Sequence, residues 1–168
     1  VFALCNKEDI VNANGDVILK ADTVIEELAT DKEGKLTFTA DLPIGYTYYV
    51  KETSPAPGFA TTDQVQEFTF EYDGADKETL SYEFTFEDEP TVVEITKTSL
   101  TDGKELEGAK LEVTDEDGKV VDSWTSGKEA HIIKELVAGK KYTLTETKPA
   151  DGYVTAESIT FTVEDSSK

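Results

Sequence analysis

The sequence predicts an all-β protein made of two tandem β-sandwiches, and three observations carry that expectation. An eighteen-residue segment occurs twice without a gap, ninety-four positions apart: LPIGYTYYVKETSPAPGF at 42–59 and LVAGKKYTLTETKPADGY at 136–153. A fixed-period repeat marks two copies of one supersecondary unit. Short runs of alternating apolar and polar residues, separated by turn dipeptides, fill both halves, and almost nothing has the helical period.

In the first half, strands are expected at 35–40 (KLTFTA), 46–53 (YTYYVKET), 66–72 (QEFTFEY) and 80–87 (LSYEFTFE). In the second half they are expected at 92–98 (VVEITKT), 109–114 (AKLEVT), 119–124 (KVVDSW), 142–147 (YTLTET) and 158–164 (SITFTVE). Turns fall at Asn14-Gly15, Glu33-Gly34, Asp73-Gly74, Asp102-Gly103, Asp117-Gly118 and Asp151-Gly152. Residues 21–30 (ADTVIEELAT) break the pattern and read as a helical turn or a loop insertion. Pro90 sits in 87–91 (EDEPT), a linker short enough to hold two domains end to end. The expected domains are 1–89 and 92–168.

Each half has a modest core for its size, near the length at which small domains gain from an extra staple. A disulfide cannot supply one, because Cys5 is the single cysteine and reads as a small buried hydrophobe. A formal charge of −20 makes the surface acidic, which disfavours nucleic acid and anionic membrane as partners and otherwise favours solubility. No apolar run reaches membrane-span length and no signal-peptide pattern is present. Targeting and anchoring segments of an exported protein are therefore expected outside this chain.

The repeat carries one glutamate at the same place in each copy, Glu52 and Glu146, followed by a Pro/Gly turn. These residues closely resemble the Cna B-type domain of Gram-positive surface adhesins and pilins, whose signature is Y-x-L-x-E-T followed by x-A-P-x-G-Y. Tyr142-Thr143-Leu144-Thr145-Glu146-Thr147 leads into Pro149-Ala150-Asp151-Gly152-Tyr153, with Pro and Ala transposed. Tyr48-Tyr49-Val50-Lys51-Glu52-Thr53 leads into Ala56-Pro57-Gly58-Phe59. Ile95-Thr96-Lys97, followed by Asp102-Gly103-Lys104-Glu105-Leu106-Glu107-Gly108-Ala109, is similar to the family's first strand and its G-K-x-L-x-G-A turn.

The resemblance covers nearly the whole chain and implies a transthyretin-like fold with an internal isopeptide bond. In that family a lysine on the first strand joins an Asn or Asp on the last, assisted by a mid-strand glutamate. Carried over, the lysine is Lys97, the glutamates are Glu52 and Glu146, and the acceptor is Asp88. The chemistry needs a neutral amine, and a lysine with a pKa near 10.4 is about 3.4 units from neutral at pH 7, a cost of roughly 5 kcal/mol. Burial in an apolar core shifts lysines by about 3–5 units and raises carboxyl pKa values, so a buried glutamate can stay protonated and shuttle a proton. Fixed neighbours then make the condensation intramolecular. A bond closing a loop of domain size is worth roughly 4 kcal/mol in the chain-entropy model, and force between the termini would be borne covalently.

Without that context, a mid-strand glutamate in an acidic chain is usually a solvated face residue. The acidic loops 115–118 (DEDG) and 12–16 (NANGD) lack the ligand ladder of a calcium loop and read as turns. His131 has no companion ligand, so neither a metal nor a cofactor is expected, and Trp124 reads as packing or a surface aromatic.

With the two halves aligned, Phe2, Ala3 and Leu4 correspond to Leu111, Glu112 and Val113. The first domain is therefore expected to lack its lysine-bearing first strand, and the second to lack the counterpart of 80–88 with its acceptor. Asp165 lies on the preceding strand in this alignment and is not assigned. A piece of a longer array, a split pair completed by strands from another chain or peptide, and halves without bonds all fit this pattern.

The functional expectation is a stalk module of an extracellular, cell-wall-attached adhesin or pilin-like protein, not an enzyme beyond single-turnover bond formation. Its partners are neighbouring domains of the same protein, a complementing β-strand, or an unidentified host ligand. The alternatives are a ligand-binding adhesin module and an enzyme accessory domain of the same fold.

Overall fold

The computed structural model describes residues 1–71 and 81–168. Residues 72–80, which contain the Asp73-Gly74 turn and one end each of the strands expected at 66–72 and 80–87, lie outside the described residues. The described residues form twelve strands and no helix: β1 (Phe2–Asn6), β2 (Ile10–Val11), β3 (Val17–Leu19), β4 (Val24–Leu28), β5 (Thr47–Glu52), β6 (Val65–Thr69), β7 (Val92–Ile95), β8 (Lys110–Thr114), β9 (Val120–Thr125), β10 (His131–Lys134), β11 (Lys141–Lys148) and β12 (Ile159–Thr162). The chain divides into two compact units, Val1–Ala56 with Thr61–Asp88, and Pro57–Ala60 with Glu89–Lys168.

Each unit is built on the same four-stranded antiparallel sheet. In the first the order is β4-β1-β5-β6, and in the second β9-β8-β11-β12. The register repeats as well as the order. Phe2 lies opposite Glu52 and Leu4 opposite Val50, while Leu111 lies opposite Glu146 and Val113 opposite Leu144. Strand β1 is thus the equivalent of β8, and the ninety-four-residue repeat places its glutamates at the same ladder position.

Period-two alternation selects the buried face. Along β5, Tyr48, Val50 and Glu52 are buried while Thr47, Tyr49 and Lys51 are half-exposed. Leu4, Ile10, Tyr48, Val50 and Phe68 form the first core, with Phe38, Ala40, Phe84 and Phe86 packed against it. The second core is Val113, Ile133, Leu136, Tyr142 and Val163, with Val93, Ile95, Trp124, Leu144 and Phe161 around it. Burying a side chain of this size contributes about 1.5–3 kcal/mol. Cys5 is fully buried.

Three tight loops share one construction. Asn12, Asp31 and Asp115 each accept two backbone N–H groups on Oδ1, from the residues two and four places on. The glycine in each, Gly15, Gly34 or Gly118, has φ between 77° and 84°, where a Cβ would be strained. The acidic loops therefore spend a side-chain oxygen on their own backbone, as turns do.

Four strand expectations are corrected. Residues 21–30 are neither helical nor a simple insertion: they carry β4, which pairs with β1. The insertion lies just before, where β2 and β3 make a hairpin of their own. Residues 35–40 make no ladder, although Phe38 and Ala40 reach the core. Their equivalent in the second unit, β10, was not expected as a strand, yet it pairs with β7 from His131↔Ile95 to Lys134↔Val92. A strand exists only against a partner, and among the described residues no strand pairs with 35–40. Residues 81–87 likewise make no ladder. They lie over the sheet through aromatic contacts, with Phe86 4.9 Å from Phe2 and Phe84 5.1 Å from Phe68, ring centroid to centroid.

Candidate functional site

Within the second unit, alternation along β11 turns Tyr142, Leu144 and Glu146 to one face, and Glu146 is 5% exposed. Lys97 lies just past β7, where the chain is held by several bonds. Its N–H donates to Glu105 Oε2 at 3.2 Å, its carbonyl accepts Leu106 N–H at 2.6 Å, and Thr98 bridges to Glu105. The turn at 102–108 thus clips the lysine backbone in place. Its Nζ reaches Glu146 Oε2 at 3.1 Å, with side-chain exposures of 20% for the lysine and 2% for the glutamate. Sequence reasoning paired these two only through a resemblance; here they are in contact.

Oε2 of Glu146 also accepts the backbone N–H of Ala156 at 2.9 Å. The other oxygen, Oε1, is buried and has no hydrogen-bond partner among the described residues. An unsatisfied buried oxygen costs about 1–3 kcal/mol, more when charged. Leu111, opposite Glu146 in the ladder, belongs to a small apolar cluster with Ala109 and Ala150, against which Leu106, Trp124 and Leu144 pack. Trp124 is half-buried and packs against the core, stacked on His131 at 4.1 Å and 11°. His131 Nε2 in turn meets Asp122 Oδ2 at 2.8 Å, joining the edge strand β9 to β10.

In the first unit, Glu52 is buried and its Oε2 accepts the backbone N–H of Thr62 at 3.3 Å. Thr62 and Ala156 are themselves ninety-four positions apart, so both glutamates are gripped from the same place in the loop after the motif. That contact was invisible in advance, because a backbone donor leaves no mark on residue type, though the repeat spacing points to it once one copy is known. Asp88, the acceptor expected for this unit, is exposed, and so is Asp165. Among the described residues no group of three His, Cys, Asp or Glu side chains could hold a metal ion, and no helix is long and apolar enough to cross a membrane.

A family model described as the SpaA prealbumin-like fold domain matches this chain twice, over residues 3–85 and 91–168. The chain belongs to that family. Its two SpaA-type domains follow one another, and the all-β, two-sandwich expectation and the resemblance to Gram-positive pilin and adhesin domains hold. Among solved structures, the Bacillus anthracis TIE protein matches with 27% identity and a TM-score of 0.53, over 98% of this chain and 28% of that one. The C-terminal fragment of the major pilin GBS80 of Streptococcus agalactiae matches at 19% identity and TM-score 0.41, over 73% of this chain and 46% of that one. Shaft pilin SpaA from Lactobacillus rhamnosus GG matches at 16% identity and TM-score 0.41, over 98% of this chain and 83% of that one. The SpaA-type pair thus spans less than half the length of the first two structures. No curated protein matches.

Proposed function

We propose that these two domains are a stalk module of a Gram-positive cell-surface adhesin or pilin-like protein, lying outside the cell and attached to its wall. Their role is mechanical, and each domain is stabilised by an autocatalytic amide cross-link. The observation that carries this reading is the contact of half-buried Lys97 with buried Glu146 at 3.1 Å, beside a carboxyl oxygen with no hydrogen-bond partner among the described residues.

The chemistry follows from that arrangement. Proton transfer from Nζ to the carboxylate turns two charges in a water-poor site into a neutral amine and a neutral acid, the forms that condensation needs. The amine nitrogen attacks the side-chain carbonyl carbon of an Asp or Asn on an adjacent strand. One N–C bond forms and one C–O or C–N bond breaks. Glu146 takes a proton from nitrogen and gives one to the departing group, which leaves as water or ammonia, and the glutamate ends as the neutral acid that the first transfer made it. The reaction occurs once per site. In the first domain the same reading makes Glu52 the assisting acid and Asp88 the acceptor, with the lysine supplied from another strand.

The test is the intact mass of the full-length protein. It is expected to lie one water or one ammonia below the sequence mass for each bond, and Glu146→Ala is expected to restore one such loss. A folded wild-type protein at its full sequence mass would sink the covalent reading.

A further inference from the structure

Resting on that reading, we infer that the backbone N–H of Ala156 is a positioning group that gives the two oxygens of Glu146 different tasks. Oε2 accepts the Ala156 N–H at 2.9 Å and faces its ion-pair partner Lys97 Nζ at 3.1 Å. Oε1 is buried and receives no hydrogen bond from the described residues. When the glutamate is protonated, a proton on Oε2 would compete with the Ala156 N–H and sit against the lysine. On Oε1 it meets no such competitor, and that oxygen can donate it to a carbonyl placed beside it. Oε2 is therefore the oxygen that faces the amine, and Oε1 the one that serves the acceptor's carbonyl and then its leaving group.

Two features separate this from an incidental loop contact. The carboxylate would otherwise be free to turn about its last torsion, which is broad and roughly two-fold. A bond from the main chain of the neighbouring loop removes that freedom, whereas the ion pair with a flexible lysine leaves most of it. The same grip also recurs in the other copy, where the Thr62 N–H donates to Glu52 Oε2 at 3.3 Å. Residues 62 and 156 differ in type, and the retained element is the amide, which any residue but proline supplies.

The experiment uses the full-length protein and two substitutions that differ in that amide. Ala156→Pro removes the N–H, and Ala156→Gly keeps it. The amide bond at Lys97 is followed by intact mass from the moment of refolding. The proline variant is expected to form the bond about tenfold more slowly or worse, the scale of one charge-assisted hydrogen bond lost from the transition state. The glycine variant is expected to keep the wild-type rate. A second measurement does not depend on the proline variant folding. In a Lys97→Met protein, which cannot form the bond, the exposed Ala156 amide is expected to be protected from hydrogen exchange. Adding Glu146→Ala should remove that protection. An unprotected Ala156 amide, or a folded proline variant that bonds at the wild-type rate, overturns the positioning role while leaving the cross-link reading intact. A wild-type protein that forms no bond overturns both.

Discussion

The contact between Lys97 and Glu146 makes a quantitative demand on the stability of the second unit before any covalent bond exists. Two unit charges 3.1 Å apart attract by about 5 kcal/mol at an effective dielectric constant of about 20. The lysine side chain is 20% exposed, so part of that attraction is screened, and a coupling of about 2–4 kcal/mol is expected. Lys97→Met leaves a glutamate of 2% side-chain exposure holding only the Ala156 N–H, and should destabilise by about 3–5 kcal/mol, the cost of a buried charge stripped of its partner. Glu146→Leu alone should be costly for the same reason. The double variant should lose much less than the sum of the two, because it buries no lone charge. The assay is urea denaturation followed by the fluorescence of Trp124, the single tryptophan of the chain, which is half-buried against this unit's core. Samples are first checked by mass to be free of the cross-link. A coupling below about 0.5 kcal/mol would place the pair among ordinary surface ion pairs and refute the claim that burial makes it strong.

Three further outcomes follow from particular contacts. Gly58 has φ 88°, and a Cβ there would lie 2.7 Å from the carbonyl oxygen of Glu135, so Gly58→Ala should cost about 2–4 kcal/mol in thermal or urea unfolding. Asn6 is fully buried, donates to the Glu8 and Lys20 carbonyls and accepts the Thr23 N–H; Asn6→Ala should destabilise the first unit by about 2–4 kcal/mol and leave the Trp124 transition in place. Burial holds the phenols of Tyr48 and Tyr49 above their usual pKa, with the nearby Tyr46 and Glu8 adding to it at Tyr48 and the hydrogen bond to Asp22 adding at Tyr49. The folded state therefore keeps protons that the unfolded state releases near pH 10, so stability is full below pH 10 and falls as pH rises above it. Tyrosinate absorbance should show two late-titrating phenols in the folded protein, and their titration with the others would contradict this.

The strand expectations that failed share a physical cause. KLTFTA at 35–40 has strong alternation and makes no ladder, while AHIIKEL, with a weaker pattern, contains β10. Alternation reports which face a segment buries, and 35–40 does bury Phe38 and Ala40 against the core. It does not report whether another backbone lies alongside to complete the hydrogen bonds. The opposite error at 21–30 arose because VIEEL looks helical in isolation, with its two adjacent glutamates. In the fold Glu26 is turned inward to accept the Thr39 and Ala40 N–H groups, so the residue that spoiled the strand pattern is the one that ties the sheet to the segment crossing it. His131 and Trp124 carried no functional signal, and their stacking links two segments whose proximity composition cannot express.

The sequence by itself determined that the chain is all-β, that it holds two copies of one unit, and that one glutamate in each sits at the same place on a central strand. Those properties are local or periodic: alternation, turn residues and a repeat act over a few residues or over a fixed offset, and they survive translation from one copy to the other. The tertiary structure alone decided which strands find partners. It also set Lys97 at 3.1 Å from Glu146 and left one carboxyl oxygen buried without a donor among the described residues. Each of these depends on segments far apart in the chain meeting at hydrogen-bond distance, and on main-chain amides, which every residue but proline carries and which residue identity therefore cannot reveal.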